Sequence, residues 1–337
     1  MQISDVPMVP TGTIPSLEQI GIRLTAPVSE GPPDIIPGLL PRQGQLVIAG
    51  ETNIGKSLVA LEICSALSTG VPLWGALQPT LQAKRILYCL GEHYDEVIRR
   101  LLAVTRLPMA DEAYILGPEQ LEYDKWLVSQ GKPNLLAVKK FQKWAENVDL
   151  IVFDPISSFV TGVDVENDNI QMRLVLDTMS LISQTSGASC LVLAHQGKPM
   201  MDKFGQEKAR ITYAIRGASG IEDAATNIFY MGKGESPDTK QAQRVSNGQI
   251  IELKCRKYKG EAPPEYRLLR DPGTLTHTLL GDRSYTDILK IDTNAKIARI
   301  QASNPNIDFR TAIRLVAAFD GVAEDTIKRR IGLVGNT

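Results

Sequence analysis

Between residues 45 and 195, short apolar runs alternate with stretches of helical spacing. Residues 45–49 (QLVIA) form the first run and end in a glycine loop, and residues 57–68 then carry apolar side chains at helical intervals. Residues 85–90 (RILYCL) read as a second buried strand, followed by a helix over 94–105 and a third strand over 113–116. Residues 132–146 have a helical period, with Phe141 and Trp144 on one face. Residues 150–153 (LIVF) form a strand that ends at Asp154. Residues 169–186 form a long helix, and 189–194 (SCLVLA) a strand that ends at His195. Strands buried on both sides show continuous apolar runs instead of alternation, so this pattern predicts an α/β fold with a mostly parallel sheet covered on both faces. Residues 226–231, 249–254 and 265–270 look like later, more antiparallel strands.

The flanks differ. Residues 1–34 contain Pro7, Pro10, Pro15, Pro27, Pro32 and Pro33. Proline fixes φ and removes a donor, so this segment reads as an extended arm with at most a short helix over 16–22. Beyond Pro272 the composition shifts, and residues 285–303 and 309–335 are helical in period with no strand-like run. The expected division is an arm over 1–35, a core over 36–272 and a small helical domain over 285–337.

Composition narrows the function classes. The chain has 337 residues, 43% hydrophobic and 22% charged, which suits a globular protein and not a disordered one. It lacks an apolar stretch long enough to span a membrane and a basic, apolar secretory start, so no membrane is expected. Cys64, Cys89, Cys190 and Cys255 are scattered without a CxxC pair, which fits a reducing, cytoplasmic setting. Lys and Arg (37) nearly balance Asp and Glu (38), for a net charge of -1. That balance argues against a surface-wide grip on nucleic acid, but not against one basic loop repeated in an assembly.

Gly50, Glu51, Thr52, Asn53, Ile54, Gly55, Lys56 and Ser57 match GxxxxGK[ST] between a predicted strand and a predicted helix. The glycines let successive amides turn inward around phosphates, and the helix N-terminus favours an anion. A nucleotide is the expected ligand. Lys56 reaches its β- and γ-phosphates, and the Ser57 hydroxyl holds Mg²⁺. A second Mg²⁺ anchor is expected at a neighbouring strand tip, and Asp154 supplies it. Hydrolysis also needs a group that activates water. Pro155, not an acid, follows Asp154, so the base comes from elsewhere. Glu92, at the end of the strand (RILYCLGE) after the phosphate-loop helix, lies at the carboxyl edge of the sheet beside the expected γ-phosphate.

A glutamate in that place, with the segments LGEHYDEVIRRL, VFDPISSFV, LVLAHQGKP and AIRGASGIEDAATNIFYM, resembles the RecA-like ATPases. Within them the chain is similar to the RepA-type hexameric plasmid helicases and, more distantly, to DnaB-type helicases, over roughly residues 36–272. The pairing of AHQGK with RGASGIED is its specific part. The resemblance implies that His195 or Gln196 senses the γ-phosphate. It also implies that the basic loop after them, with Lys198, Lys203, Lys208 and Arg210, faces a ring channel and contacts a nucleic-acid backbone.

Lys254 and Arg256 stand two apart on a predicted strand and so share a face. By resemblance they form the finger pair that reaches a neighbouring subunit's ATP. The plainer reading is an edge strand guarded by basic residues. Residues 311–333 read as helix, tight turn at Gly321, helix. They resemble a helix-turn-helix with Thr326, Lys328, Arg329 and Arg330 on its second helix; an oligomer-stabilising cap is the rival reading.

The expected protein is thus a RecA-like P-loop ATPase forming a homo-hexamer on nucleic acid, with single-stranded DNA expected and replication or recombination proteins as further partners. A RecA-like filament protein, or a nucleotide-switched regulatory or partner-loading ATPase, are the alternatives.

Overall fold

A computed structural model describes residues 34–91, 95–121, 126–161, 169–195, 218–234, 250–258, 265–271, 274–280, 306–320 and 322–333, with isolated positions between 290 and 304. Residues 1–33 of the arm expected over 1–35 lie outside them.

The strands are β1 (Gln45–Gly50), β2 (Arg85–Leu90), β3 (Glu112–Leu116), β4 (Val128–Ser129), β5 (Lys132–Pro133), β6 (Leu150–Asp154), β7 (Val160–Thr161), β8 (Ser189–His195), β9 (Asn227–Lys233), β10 (Ile250–Lys257), β11 (Tyr266–Arg270) and β12 (His277–Leu279). The helices labelled here are α1 (Lys56–Thr69), α2 (Asp95–Thr105), α3 (Leu135–Trp144), α4 (Asn169–Ser186), α5 (Ala218–Ala224), α6 (Phe309–Asp320) and α7 (Glu324–Arg330).

Nine strands form one sheet in the order β12-β11-β10-β9-β1-β8-β6-β2-β3. From β9 to β3 every pairing is parallel. From β9 outward through β12 the pairings are antiparallel. The expected mostly parallel α/β core is therefore present. β9 departs from expectation by running parallel to β1, not antiparallel, and β12 adds an edge strand that was not expected. A long connection containing α5 separates β9 from β8, and a parallel pairing needs such a crossover.

Alternation along each central strand sends residues to two separate cores. Leu46 and Ile48 of β1, Leu150 and Val152 of β6, and Leu191 and Leu193 of β8 pack with Val59, Leu61, Ile63 and Leu67 of α1. Val47 and Ala49, Ile151 and Phe153, and Cys190 and Val192 face the other way, onto Phe141 of α3 and Val175, Met179 and Ile182 of α4. Burial on both faces is why these strands read as unbroken apolar runs.

The helix expected over 132–146 starts later. Pro133 sits in β5, and Asn134 caps α3 by accepting from the Ala137 amide at 3.3 Å. The residues before it, β4 and β5, join β7 in a small sheet, β5-β4-β7, that the apolar pattern did not predict. Near the C-terminus, α6 and α7 enclose a core of their own from Ile297, Ala312, Ile313, Val316, Ala317 and Ile327. Arg314 pairs with Glu324 and Lys328 with Asp325 on its surface.

Candidate nucleotide site

The site lies at the carboxyl ends of β1, β8 and β6. β1 delivers the chain to Gly50, where the Met231 carbonyl comes so near that a Cβ would collide. The loop then turns through positive φ at Asn53 (64°) and Gly55 (108°). Glu51, Thr52 and Asn53 are exposed at its tip, while the Ile54 side chain is buried in the core, so Ile54 offers only backbone to a ligand. Helix α1 begins at Lys56 without a side-chain cap. Its first amides are thus the orphan donors of a helix start, a natural seat for an anion.

Lys56 is 7% exposed. Its Nζ donates to the carbonyls of Gly50 at 3.0 Å and Glu51 at 2.9 Å. Burial pushes its pKa down to about 8, against the opposing pull of Asp154. One residue on, the Ser57 hydroxyl donates to Oδ2 of Asp154 at 2.7 Å. The Tyr88 hydroxyl donates to the same oxygen at 2.9 Å. Burial raises the Asp154 carboxyl above the usual range; the bonds from Ser57 and Tyr88, and the charges of Lys56 and His195, act in the opposite direction. Hydroxyl and carboxylate oxygens suit a hard divalent cation, and a buried carboxylate calls for a positive partner. Ser57 and Asp154 would hold Mg²⁺, which supplies charge neutralisation for phosphate oxygens when bound.

β8 lies between β1 and β6, and its last residue, His195, is in register with Gly50. The structure therefore brings together the loop, Lys56, Ser57, Asp154 and His195. Glu92, Gln196, Lys198, Lys203, Lys208 and Arg210 lie outside the described residues. Gly91, just before Glu92, donates its amide to the Asp154 carbonyl at 2.9 Å.

Lys254 and Arg256 sit on β10, but the pairing with β9 shifts register between Cys255 and Lys257. Such a bulge interrupts strict alternation. Lys254 pairs with Glu252 at 3.3 Å, and Arg256 with Glu222 of α5 at 3.0 Å. The two cations have different partners within the chain.

Two site residues escaped the sequence reading. Tyr88 alternates with Cys89 along β2, and that period could have flagged it. Arg270, at the end of β11, donates from Nη2 to the Ile54 carbonyl inside the loop. No spacing links two positions so far apart in the chain. Among the described residues, no helix is long and apolar enough to cross a membrane.

The sequence profile of a family described as AAA domain matches residues 22–201. Among solved structures, the chain is similar to the flagellar accessory protein FlaH from Methanocaldococcus jannaschii. The two share 12% identity with a TM-score of 0.43, over 71% of this chain and 90% of that one. No curated protein matches the chain.

Proposed function

The chain belongs to the AAA domain family, and from that premise we propose a ring-forming ATPase that couples ATP hydrolysis to movement along, or unwinding or remodelling of, nucleic acid. The supporting observation is that His195 stands in register with Gly50, on the strand between the phosphate loop and Asp154. A polar group at that point can respond to the γ-phosphate and pass the response into the chain that follows it. That chain holds Lys198, Lys203, Lys208 and Arg210. Phosphate contacts by these residues would grip nucleic acid without regard to sequence.

In this reading the loop amides and Lys56 bind phosphates, Ser57 and Asp154 hold Mg²⁺, and Glu92 activates water. His195 or Gln196 senses the γ-phosphate. Lys254 and Arg256 act on the nucleotide of the adjoining subunit. The likeness to RepA-type helicases, the homo-hexamer, a cytoplasmic location and a role beside replication or recombination proteins belong to the same proposal.

Electron microscopy with a non-hydrolysable ATP analogue and single-stranded DNA, alongside ATPase assays, tests it. Closed six-membered rings and turnover stimulated by single-stranded DNA are expected. Open filaments would instead favour a recombinase-like protein. Turnover indifferent to nucleic acid would favour a nucleotide-switched loading factor.

A further inference from the structure

Behind the phosphate loop runs a buried chain of polar groups that the nucleotide reading does not use. Glu62 lies on α1 and is 5% exposed. Its Oε1 accepts from the backbone amide of His277 at 2.6 Å, and its Oε2 from Trp74 Nε1 at 3.0 Å. The same Oε2 lies 2.8 Å from Nδ1 of His277, whose side chain is fully buried. Nε2 of His277 is 3.1 Å from Nε of Arg270, and Arg270 Nη2 reaches the Ile54 carbonyl.

The donor inventory fixes the direction of every bond. Guanidinium nitrogens only donate, so Nε2 of His277 must be the acceptor. Its single ring proton is then on Nδ1, where it points at the Glu62 carboxylate. A carboxylate, a neutral imidazole and a guanidinium thus run from the middle of α1 to the loop.

The end of the chain acts on one peptide plane. A trans peptide holds its C=O and N–H in opposite directions. Drawing the Ile54 carbonyl toward Arg270 turns the Gly55 amide away from Arg270. Gly55 suits this place: its φ is 108°, and a Cβ there would collide with the Arg270 guanidinium.

We infer that Arg270 is a positioning residue of the nucleotide site, which presents the Gly55 amide to the bound phosphates and is itself oriented by His277 and Glu62. The inference rests on the nucleotide reading above. Arg270 touches the loop and not the ligand. Because an amide of this loop bonds the phosphates in ground and transition states alike, its loss removes uniform binding.

The test is titration of the full-length protein with a fluorescent ATP analogue and Mg²⁺, together with steady-state ATPase kinetics and melting temperature. Arg270→Lys and Arg270→Ala are expected to raise Kd and KM about tenfold, as for one charge-assisted hydrogen bond, with kcat changed about twofold or less. Glu62→Gln puts an amide N–H before donors and is expected to shift Kd in the same direction. A purely structural role would lower the melting temperature and leave Kd alone. A folded Arg270 variant with wild-type Kd overturns the inference. In the same assay Lys56→Ala should abolish binding. If it does while Arg270→Lys changes nothing, the nucleotide reading stands and only this inference falls. A wild type that binds no nucleotide overturns both. Should neither Arg270 variant fold, nitrogen NMR of wild-type His277 decides. A proton on Nδ1, with imidazole resonances that shift on adding MgATP, upholds the chain; a proton on Nε2, or resonances that do not move, overturns it.

Discussion

Ser57 and Asp154 are 97 residues apart in sequence, yet the Ser57 hydroxyl donates to the Asp154 carboxylate at 2.7 Å. The first turn of α1 and the tip of β6 meet across β8, which separates β6 from β1 in the sheet. This one bond joins the two halves of the expected Mg²⁺ site. Tyr88 approaches the same oxygen from β2. Two hydroxyls thus steady a carboxylate that burial would otherwise drive toward its neutral form.

Asp154→Asn separates the two roles of that group. It removes a buried carboxylate, so the nucleotide-free protein should melt no lower than wild type. It also removes the cation's strongest oxygen donor. Calorimetric titration with ATP, in Mg²⁺ and then in EDTA, should show a ratio of affinities of about tenfold or more in wild type. In the variant the ratio should fall close to one. A variant that keeps the full Mg²⁺ dependence would exclude Asp154 as a ligand.

Tyr88→Phe gives a pH signature. The Tyr88 bond favours the charged form of Asp154, so its loss raises the carboxyl further above the usual range. A raised carboxyl takes up its proton at higher pH as the solution is acidified. The Mg²⁺-dependent part of ATP affinity should therefore disappear at higher pH in Tyr88→Phe than in wild type. The removed hydrogen bond should cost about 1 kcal/mol of stability. Coincident pH profiles would show that the Tyr88 hydroxyl does not tune Asp154.

Lys56 should be a burden to the nucleotide-free fold. Its pKa falls from 10.5 in the unfolded chain to about 8 in the folded one, chiefly through burial. In that window the unfolded chain binds more protons, so stability rises with pH. The contribution is fully present above the unfolded value and is lost as pH falls through about 8. At neutral pH the charged ammonium carries the whole penalty, on the order of 3 kcal/mol at most. Two bonds to loop carbonyls offset part of it. Lys56→Met keeps the apolar stem, so it should melt at or above the wild-type temperature without nucleotide. It should also lose the stability gain between pH 8 and 10.5 and gain nothing from MgATP. Thermal unfolding across pH, with and without MgATP, checks all three.

What the sequence showed depended on whether neighbours in space were also neighbours in pattern. The phosphate loop was legible because strand, glycines, Lys56 and Ser57 are contiguous. Asp154 and His195 were legible because each ends an apolar run whose strand is buried on both faces. The parallel direction of β9 was not, since an apolar run of that length pairs equally well either way. The small β4-β5-β7 sheet was missed because two-residue strands carry no period. Arg270 was missed because its partner is a backbone carbonyl, which leaves no trace in residue type. The late start of α3 could have been read from Pro133 and Asn134, a helix-excluding residue followed by a cap.

The pair formed by Arg256 and Glu222 bears on how subunits would cooperate. The two side chains are 45% and 32% exposed. A surface pair of this kind is worth about 0–1 kcal/mol, so a neighbouring phosphate can draw Arg256 away at little cost. Glu222→Ala should therefore leave the melting temperature nearly unchanged. Arg256→Ala should also fold normally but should lose most turnover if its target lies in the adjoining subunit. Mixing Arg256→Ala subunits with Glu92→Ala subunits then becomes decisive. A site works only where an Arg256→Ala subunit, with its own Glu92 intact, meets a Glu92→Ala neighbour that still carries Arg256. Random equal mixing in a head-to-tail ring produces that arrangement at about a quarter of the sites. ATPase activity should rise from near zero in either variant alone to roughly that fraction of wild type. It should fall as the ratio moves from equality in either direction. Absence of recovery at every ratio would assign Arg256 to its own subunit, where Glu222 already holds it.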